Sequence, residues 1–182
     1  TLAYGFGFEE AEASHYLLVD SNLEVLEGHG QPNPANRFHL HVYGARPDIN
    51  AIVHTHPKYC SAISLLGEPL HVAHMDTAAL YDDVAYLARW PGIPFGDEEG
   101  EIISSAIGQK SAILLAHHGQ LSVGPTVEAA CVLGVTMERA AEMHLLARAA
   151  GDLNAIEPEL GREAHDWRHN PRMVSMTFDY YG

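Results

Sequence analysis

The stretch that most restricts the fold is AIVHTHP (51–57). Ala51, Ile52 and Val53 read as a buried strand, and two histidines one residue apart end it. Alternate residues of a strand point to the same side, so His54 and His56 aim both imidazoles at one point beyond the strand. Pro57 has no N–H for a further ladder bond, and its fixed φ suits the first turn of a helix. The strand must therefore stop there, which fixes where that point lies. Two imidazoles on one side are half of a metal site, since catalytic zinc often has three protein ligands and an open position. A second apolar run, SAILLAHHG (111–119), also ends in histidines. If the two strand ends are neighbours, His117 or His118 supplies the third ligand, and Gly119 lets the backbone turn sharply. Imidazole donors suit zinc, iron, cobalt or nickel better than hard ions. Zinc ranks first, with manganese or iron as alternatives.

The rest of the chain alternates strand and helix signals. Residues 15–28 predict two short strands around the polar turn Asp20-Ser21-Asn22. A Gly/Pro/Asn loop (28–36) precedes a helix over 36–46, which Pro47 closes. Strands are expected at 49–54, 69–74 and 111–119, with 120–124 as the hairpin partner of the last. Helices are expected from Pro57 to about residue 66, over 77–90 and over 98–108. The longest helix, 126–150, carries apolar residues at helical spacing (Val127, Ala130, Cys131, Gly134, Met137, Ala141, Leu145, Ala149), and Gly151 ends it. Residues 157–167 read as an amphipathic helix, and the aromatic tail SMTFDYYG as extended. Asp97-Glu98-Glu99 reads as a helix start that exploits the macrodipole, and Glu138 with Arg139 as a surface or intersubunit ion pair. Without repeats or linkers, these elements predict an α/β layered domain with a mixed sheet.

Bulk properties narrow the partners. The chain has 182 residues, enough for one domain with a hydrophobic core, and a formal net charge of -14. That charge repels phosphate backbones and anionic membrane surfaces, so neither nucleic acid nor a membrane is expected as a partner. No apolar run reaches the ~20 residues of a membrane span, and the first residues do not read as a signal peptide. The two cysteines, Cys60 and Cys131, are expected to be buried free thiols in a reducing cytoplasm.

HxH occurs in other metal folds, which fit poorly. A (β/α)₈ barrel is typically about 250 residues. The HxHxDH pattern of metallo-β-lactamases fails at Pro57, Lys58 and Tyr59. Cupins place a glutamate shortly after HxH in an all-β frame, whereas this chain is rich in helix signals and has no acid before Glu68.

The segment HLHVYGARPDINAIVHTHPKYCSAIS resembles the core motif of the class II aldolase/adducin family, and AILLAHHGQLSVGPTVEAACVLGVTMERAA resembles its second signature. Asn33-Pro34-Ala35 before the first helix, with WPGIPFGDEEGEI (90–102), is similar to the bacterial adducin-like branch. The resemblance implies a three-layer αβα domain with a central mixed, largely antiparallel sheet. It implies divalent-metal ligation by His54, His56 and His118 (rather than His117), and a homotetramer. Two departures stand out. The acid of the sugar-phosphate aldolases falls on Ala35, and the loop serines that help hold phosphate are absent. The family normally starts earlier, so residues 1–182 are expected to be a single domain lacking its N-terminal part.

The expected activity is a metal-dependent lyase that cleaves a C–C bond beside a carbonyl through a metal-stabilised enolate, by retro-aldol cleavage or decarboxylation. Its substrate is a small carbonyl or carboxylate compound. Loss of the acid at Ala35 shifts weight towards decarboxylation, which needs no base for a substrate hydroxyl. His39, Asp76 and Tyr180 are the candidate catalytic groups, Tyr180 (with Tyr181) from a tail that can reach a neighbouring subunit. The alternatives are an iron-dependent oxygenase or epimerase on the same fold, or a non-catalytic adducin-like scaffold. Converging imidazoles argue against the scaffold.

Overall fold

The computed structural model describes residues 1–92 and 97–182. Residues 93–96 of the WPGIPFG motif lie outside the described residues. The chain divides into two compact units, Thr1–Ala45 with Pro91–Ser104, and Arg46–Trp90 with Ser105–Gly182.

In the first unit, strands β1 (Leu18–Val19) and β2 (Val25–Glu27) pair antiparallel. The Asp20 carboxylate organises their turn by accepting the Asn22 and Glu24 N–H groups at 2.8 and 2.9 Å. Helix α1 (Asn36–Ala45) follows the NPA loop, where Asn33 Oδ1 accepts the Ala35 N–H. The acidic run opens α3 (Glu98–Ile107), where carboxylates meet the positive end of the helix dipole.

The second unit is built on a four-stranded sheet. Its strands are β3 (Ala51–Thr55), β4 (Val84–Leu87), β5 (Ala112–Leu115) and β6 (Gly119–Gly124), in the order β3-β6-β5-β4. β3/β6 and β6/β5 are antiparallel, and β5/β4 is parallel, so the fold is mixed α/β on a mixed sheet. β5 and β6 are buried along their whole length, which explains why AILL is continuously apolar rather than alternating. Two histidine-tipped strands are thus separated by one strand. The tight β5–β6 hairpin brings the end of β5 back to the end of β3.

Helix α2 (Lys58–Ile63) starts directly after Pro57, and α4 (Val127–Ala150) is capped by Thr126 Oγ1, which accepts the Ala129 N–H. Leu133, Met137, Ala140 and Ala141 of α4 join Cys60, Ile63, Leu80, Ala112 and Leu114 in one core cluster. The buried face of α4 therefore runs through Leu133, Ala140 and His144, whereas Val127 is 61% exposed. Gly134 faces β6, where a Cβ would stand 3.1 Å from Ser122 Oγ and 3.3 Å from Gln120 Nε2. Helix α5 spans Pro158–Arg168 and α6 spans Pro171–Tyr181.

Three elements and one thiol differ from the sequence expectations. Residues 69–74 form no strand: the His71 N–H goes to His144 Nδ1 of α4, at 3.2 Å. Residues 77–90 are not one helix. A 3-10 helix (Met75–Leu80) ends at Tyr81, whose backbone is extended, Asp82 then turns the chain with a φ of 50°, and β4 follows. The tail is helical as α6, because Asn170 Oδ1 caps it by accepting the Arg172 N–H and Pro171 occupies its first turn. Finally, Cys131 is only partly buried, while Cys60 is fully buried; both are free thiols.

Candidate metal centre

β3 delivers His54 and His56 on one side, and their Nε2 atoms lie 3.1 Å apart. His118 sits in the β5–β6 turn, with ring centroids 4.9 Å from His54 and 4.6 Å from His56. One ring nitrogen from each of the three lies within 4.8 Å of the others. The turn itself selects His118. His117 adopts the left-handed region (φ 56°) and its N–H donates to Ser64 O at 3.1 Å, leaving its side chain exposed.

Gly119 has a different role from the sharp turn expected of it. The positive φ belongs to His117, and Gly119 is the first residue of β6. A Cβ there would stand 2.6 Å from Thr55 O and 2.8 Å from His56 Cδ2. Glycine therefore admits the end of β3, with His56, against the hairpin.

The local contacts set the nitrogen each ring presents. His54 Nδ1 lies 3.0 Å from the Gln120 carbonyl, which only accepts, so this nitrogen carries the proton and Nε2 keeps a lone pair. His56 Nε2 faces that lone pair. Around a tetrahedral ion with metal–nitrogen bonds of about 2.0–2.1 Å, ligand nitrogens sit roughly 3.3 Å apart, close to the spacing seen here. His118 Nδ1 is buried without a hydrogen-bond partner among the described residues. Burial, reinforced by the neighbouring His56, pushes the His118 pKa down to about 4, and burial lowers that of His56. A divalent cation requires unprotonated imidazole nitrogens, and the lowered pKa values of His56 and His118 fit one. His56 is exposed while its two partners are half-buried, so the centre is open on one side.

A support absent from the sequence reading is Glu138. Its carboxylate oxygens accept the Tyr59 and Cys60 N–H groups, each at 2.8 Å, which caps α2 immediately after the HTHP segment. It does not pair with Arg139, which instead binds Asp76 at 2.7 Å. A glutamate at the middle of a buried helical face was the available signal.

Two of the candidate catalytic groups, Asp76 and Tyr180, fall elsewhere in the second unit. Asp76 is held by Arg139 and, at 3.5 Å, by Arg168. Tyr180 is 84% exposed near the end of α6. The structure brings these two to one cavity of about 180 Å³, whose lining also includes Trp167 and Thr136 but none of the three clustered histidines. His39 lies on α1 in the first unit, and burial pushes its pKa down to about 4.

A mixed α/β fold that gathers three imidazoles at its strand ends presents a donor set of the HxH kind, which could hold a metal ion. The family model for the Class II Aldolase and Adducin N-terminal domain matches residues 2–145, and the chain belongs to that family. It is 34% identical over 149 residues to an L-fuculose phosphate aldolase of Escherichia coli O6:H1, covering 81% of this chain and 68% of the relative. It is 30% identical over 157 residues to the decarboxylase NovR of Streptomyces niveus, covering 85% of this chain and 58% of that protein. The solved L-fuculose 1-phosphate aldolase of Glaciozyma antarctica superposes with a TM-score of 0.78 at 32% identity, covering 91% of this chain and 65% of that one. The chain thus spans about two thirds or less of the length of these proteins. Among the described residues, no helix is long and apolar enough to cross a membrane.

Proposed function

We propose that this chain is a carbon–carbon lyase that cleaves a bond beside a carbonyl, by decarboxylation or retro-aldol reaction, with a divalent cation held by His54, His56 and His118. The convergence of one nitrogen from each of these rings within 4.8 Å carries the reading. When bound, such an ion supplies positive charge to the enolate oxygen that develops as the C–C bond breaks.

The chain's own residues prepare that site. The Gln120 carbonyl fixes the His54 tautomer, Gly119 admits His56, and Glu138 holds the start of α2 behind the HTHP segment. The open side at His56 gives a small carbonyl or carboxylate compound access. Retro-aldol cleavage also needs a base for the substrate hydroxyl. Ala35 stands where resembling aldolases carry an acid, so His39, Asp76 and Tyr180 are the proposed proton-handling groups. Two guanidinium groups hold Asp76, which favours an orienting role over proton abstraction. Decarboxylation needs no such base, and a relative named as a decarboxylase supports it. Zinc is the proposed ion, the cytoplasm the proposed compartment and a homotetramer the proposed assembly.

The test joins metal content to turnover. His56→Ala is expected to lose one equivalent of bound metal relative to wild type. The metal-loaded wild type is expected to release carbon dioxide from 2-oxo acids or to cleave ketose 1-phosphates. A wild type that binds metal through these histidines yet turns over neither class would overturn the reading.

A further inference from the structure

A second cluster of metal-type donors lies away from the HTH centre. His165, in the last turn of α5, and His169, which caps that helix, are four residues apart and share its face. Their rings stack with centroids 4.2 Å apart. Asp83, in the turn before β4, points its Oδ2 at both: 3.3 Å from His165 Nε2 and 3.8 Å from His169 Nε2. One donor atom from each of the three lies within 4.8 Å of the others. All three are half-buried, the Asp83 side chain being 13% exposed.

The surroundings orient this set as a metal site's outer partners do. Asp83 Oδ1 accepts the Ser111 N–H at 2.9 Å, which fixes the carboxylate. His165 Nδ1 lies 2.9 Å from Asp166 Oδ1, and His169 Nε2 donates to Ala79 O at 2.8 Å. For His165, a carboxylate on Nδ1 is the arrangement that aims Nε2 at a metal; in His169 the Ala79 contact holds Nε2, so Nδ1 is the nitrogen left to ligate.

His165 has a carboxylate at each ring nitrogen, but a neutral imidazole has only one N–H. With Nδ1 donating to Asp166, the Nε2 lone pair faces the Asp83 carboxylate. A divalent cation between the His165 Nε2 lone pair and Asp83 Oδ2 pairs the two, with the His169 ring beside it.

We propose that Asp83, His165 and His169 form a second metal site, for a divalent transition ion of the zinc class. Two imidazoles and one carboxylate suit zinc, cobalt, nickel or copper, and not magnesium or calcium. His165 and His169 lie beyond the matched residues 2–145 and Asp83 lies within them, so the site joins this chain's C-terminal helices to the family segment. A bound ion ties α5 to the turn that leads into β4. The proposal does not depend on the lyase reading.

The test counts metal in four proteins: wild type, His54→Ala/His56→Ala, His165→Ala/His169→Ala and the quadruple variant. Each is titrated with zinc or cobalt(II) and its fold checked by circular dichroism. Two equivalents in wild type, one in each double variant and none in the quadruple variant are expected. A single equivalent in wild type that survives in His165→Ala/His169→Ala, or a second equivalent that survives there, overturns the proposal. A single equivalent lost only in His165→Ala/His169→Ala supports it while removing the first centre. If the variants do not fold, wild-type crystals soaked in cobalt(II) decide. Anomalous density between Asp83, His165 and His169 supports the site, and its absence there at full cobalt occupancy of the HTH centre overturns it.

Discussion

Gly119 and Thr55 approach so closely that a methyl group on Gly119 would lie 2.6 Å from the Thr55 carbonyl oxygen. Thr55, the last residue of β3, pairs with Gln120, the residue after Gly119, where β6 begins, and His56 follows Thr55 directly. Backbone occupies that space, so a side chain there must push the strands apart.

Gly119→Ala is therefore expected to displace His56 from its neighbours. Overpacking of this kind typically costs about 1–3 kcal/mol. We expect a lower urea midpoint and at least tenfold weaker metal binding at the HTH centre, both measurable in one zinc titration of the purified variant. Unchanged metal affinity would mean that the strand ends relax without moving His56.

Glu138→Gln keeps the size of the side chain but removes its charge and one acceptor. Charge-assisted hydrogen bonds contribute roughly 1.5–3 kcal/mol each. A loss of about 2 kcal/mol in unfolding free energy is expected. Hydrogen exchange at the Tyr59 and Cys60 amides should accelerate, whereas exchange in β5 should follow only the global loss.

Metal removal should lower stability in proportion to occupancy of the native state. At free metal a hundredfold above Kd, binding to the native state alone contributes about 2.7 kcal/mol. Chelator should depress the thermal midpoint of wild type by several degrees. The same chelator should move the midpoint of His54→Ala/His56→Ala/His118→Ala less, because that variant lacks the first centre.

His39 predicts an acid-side loss of stability that does not involve the centre. Its folded pKa is pushed down to about 4 by burial, below the value of about 6.5 expected unfolded. The unfolded chain binds the proton first, so stability is full above pH 6.5 and declines as pH falls towards 4. The decline attributable to this group between pH 7 and pH 5 is on the order of 2 kcal/mol. Urea denaturation of wild type and His39→Gln at both pH values checks it: the variant should lose less on acidification, whatever its stability at pH 7.

Some of this protein is legible in local sequence because its causes are local. Pro57 ends β3, Thr126 caps α4, and the period-two geometry of a strand puts His54 and His56 on one side. The α6 cap was also local, since Asn170-Pro171 carries a helix-start signal that the aromatic tail obscured. The 77–90 segment departs from its helical pattern for another reason. Its apolar residues suit a helix equally well until Asp83 accepts the Ser111 N–H and the strand beyond it pairs with β5.

The sequence by itself determined the family, the strand-ending histidine pair and the donor chemistry, because these follow from residue type and spacing along one element. Tertiary structure alone decided the rest. A β5–β6 hairpin folds back beside β3, so His118 meets the pair. Glu138, 78 residues from Cys60, caps α2. Asp83 meets His165 across 82 residues. Such contacts are made by packing between elements distant in the chain, and no periodicity within one element encodes them.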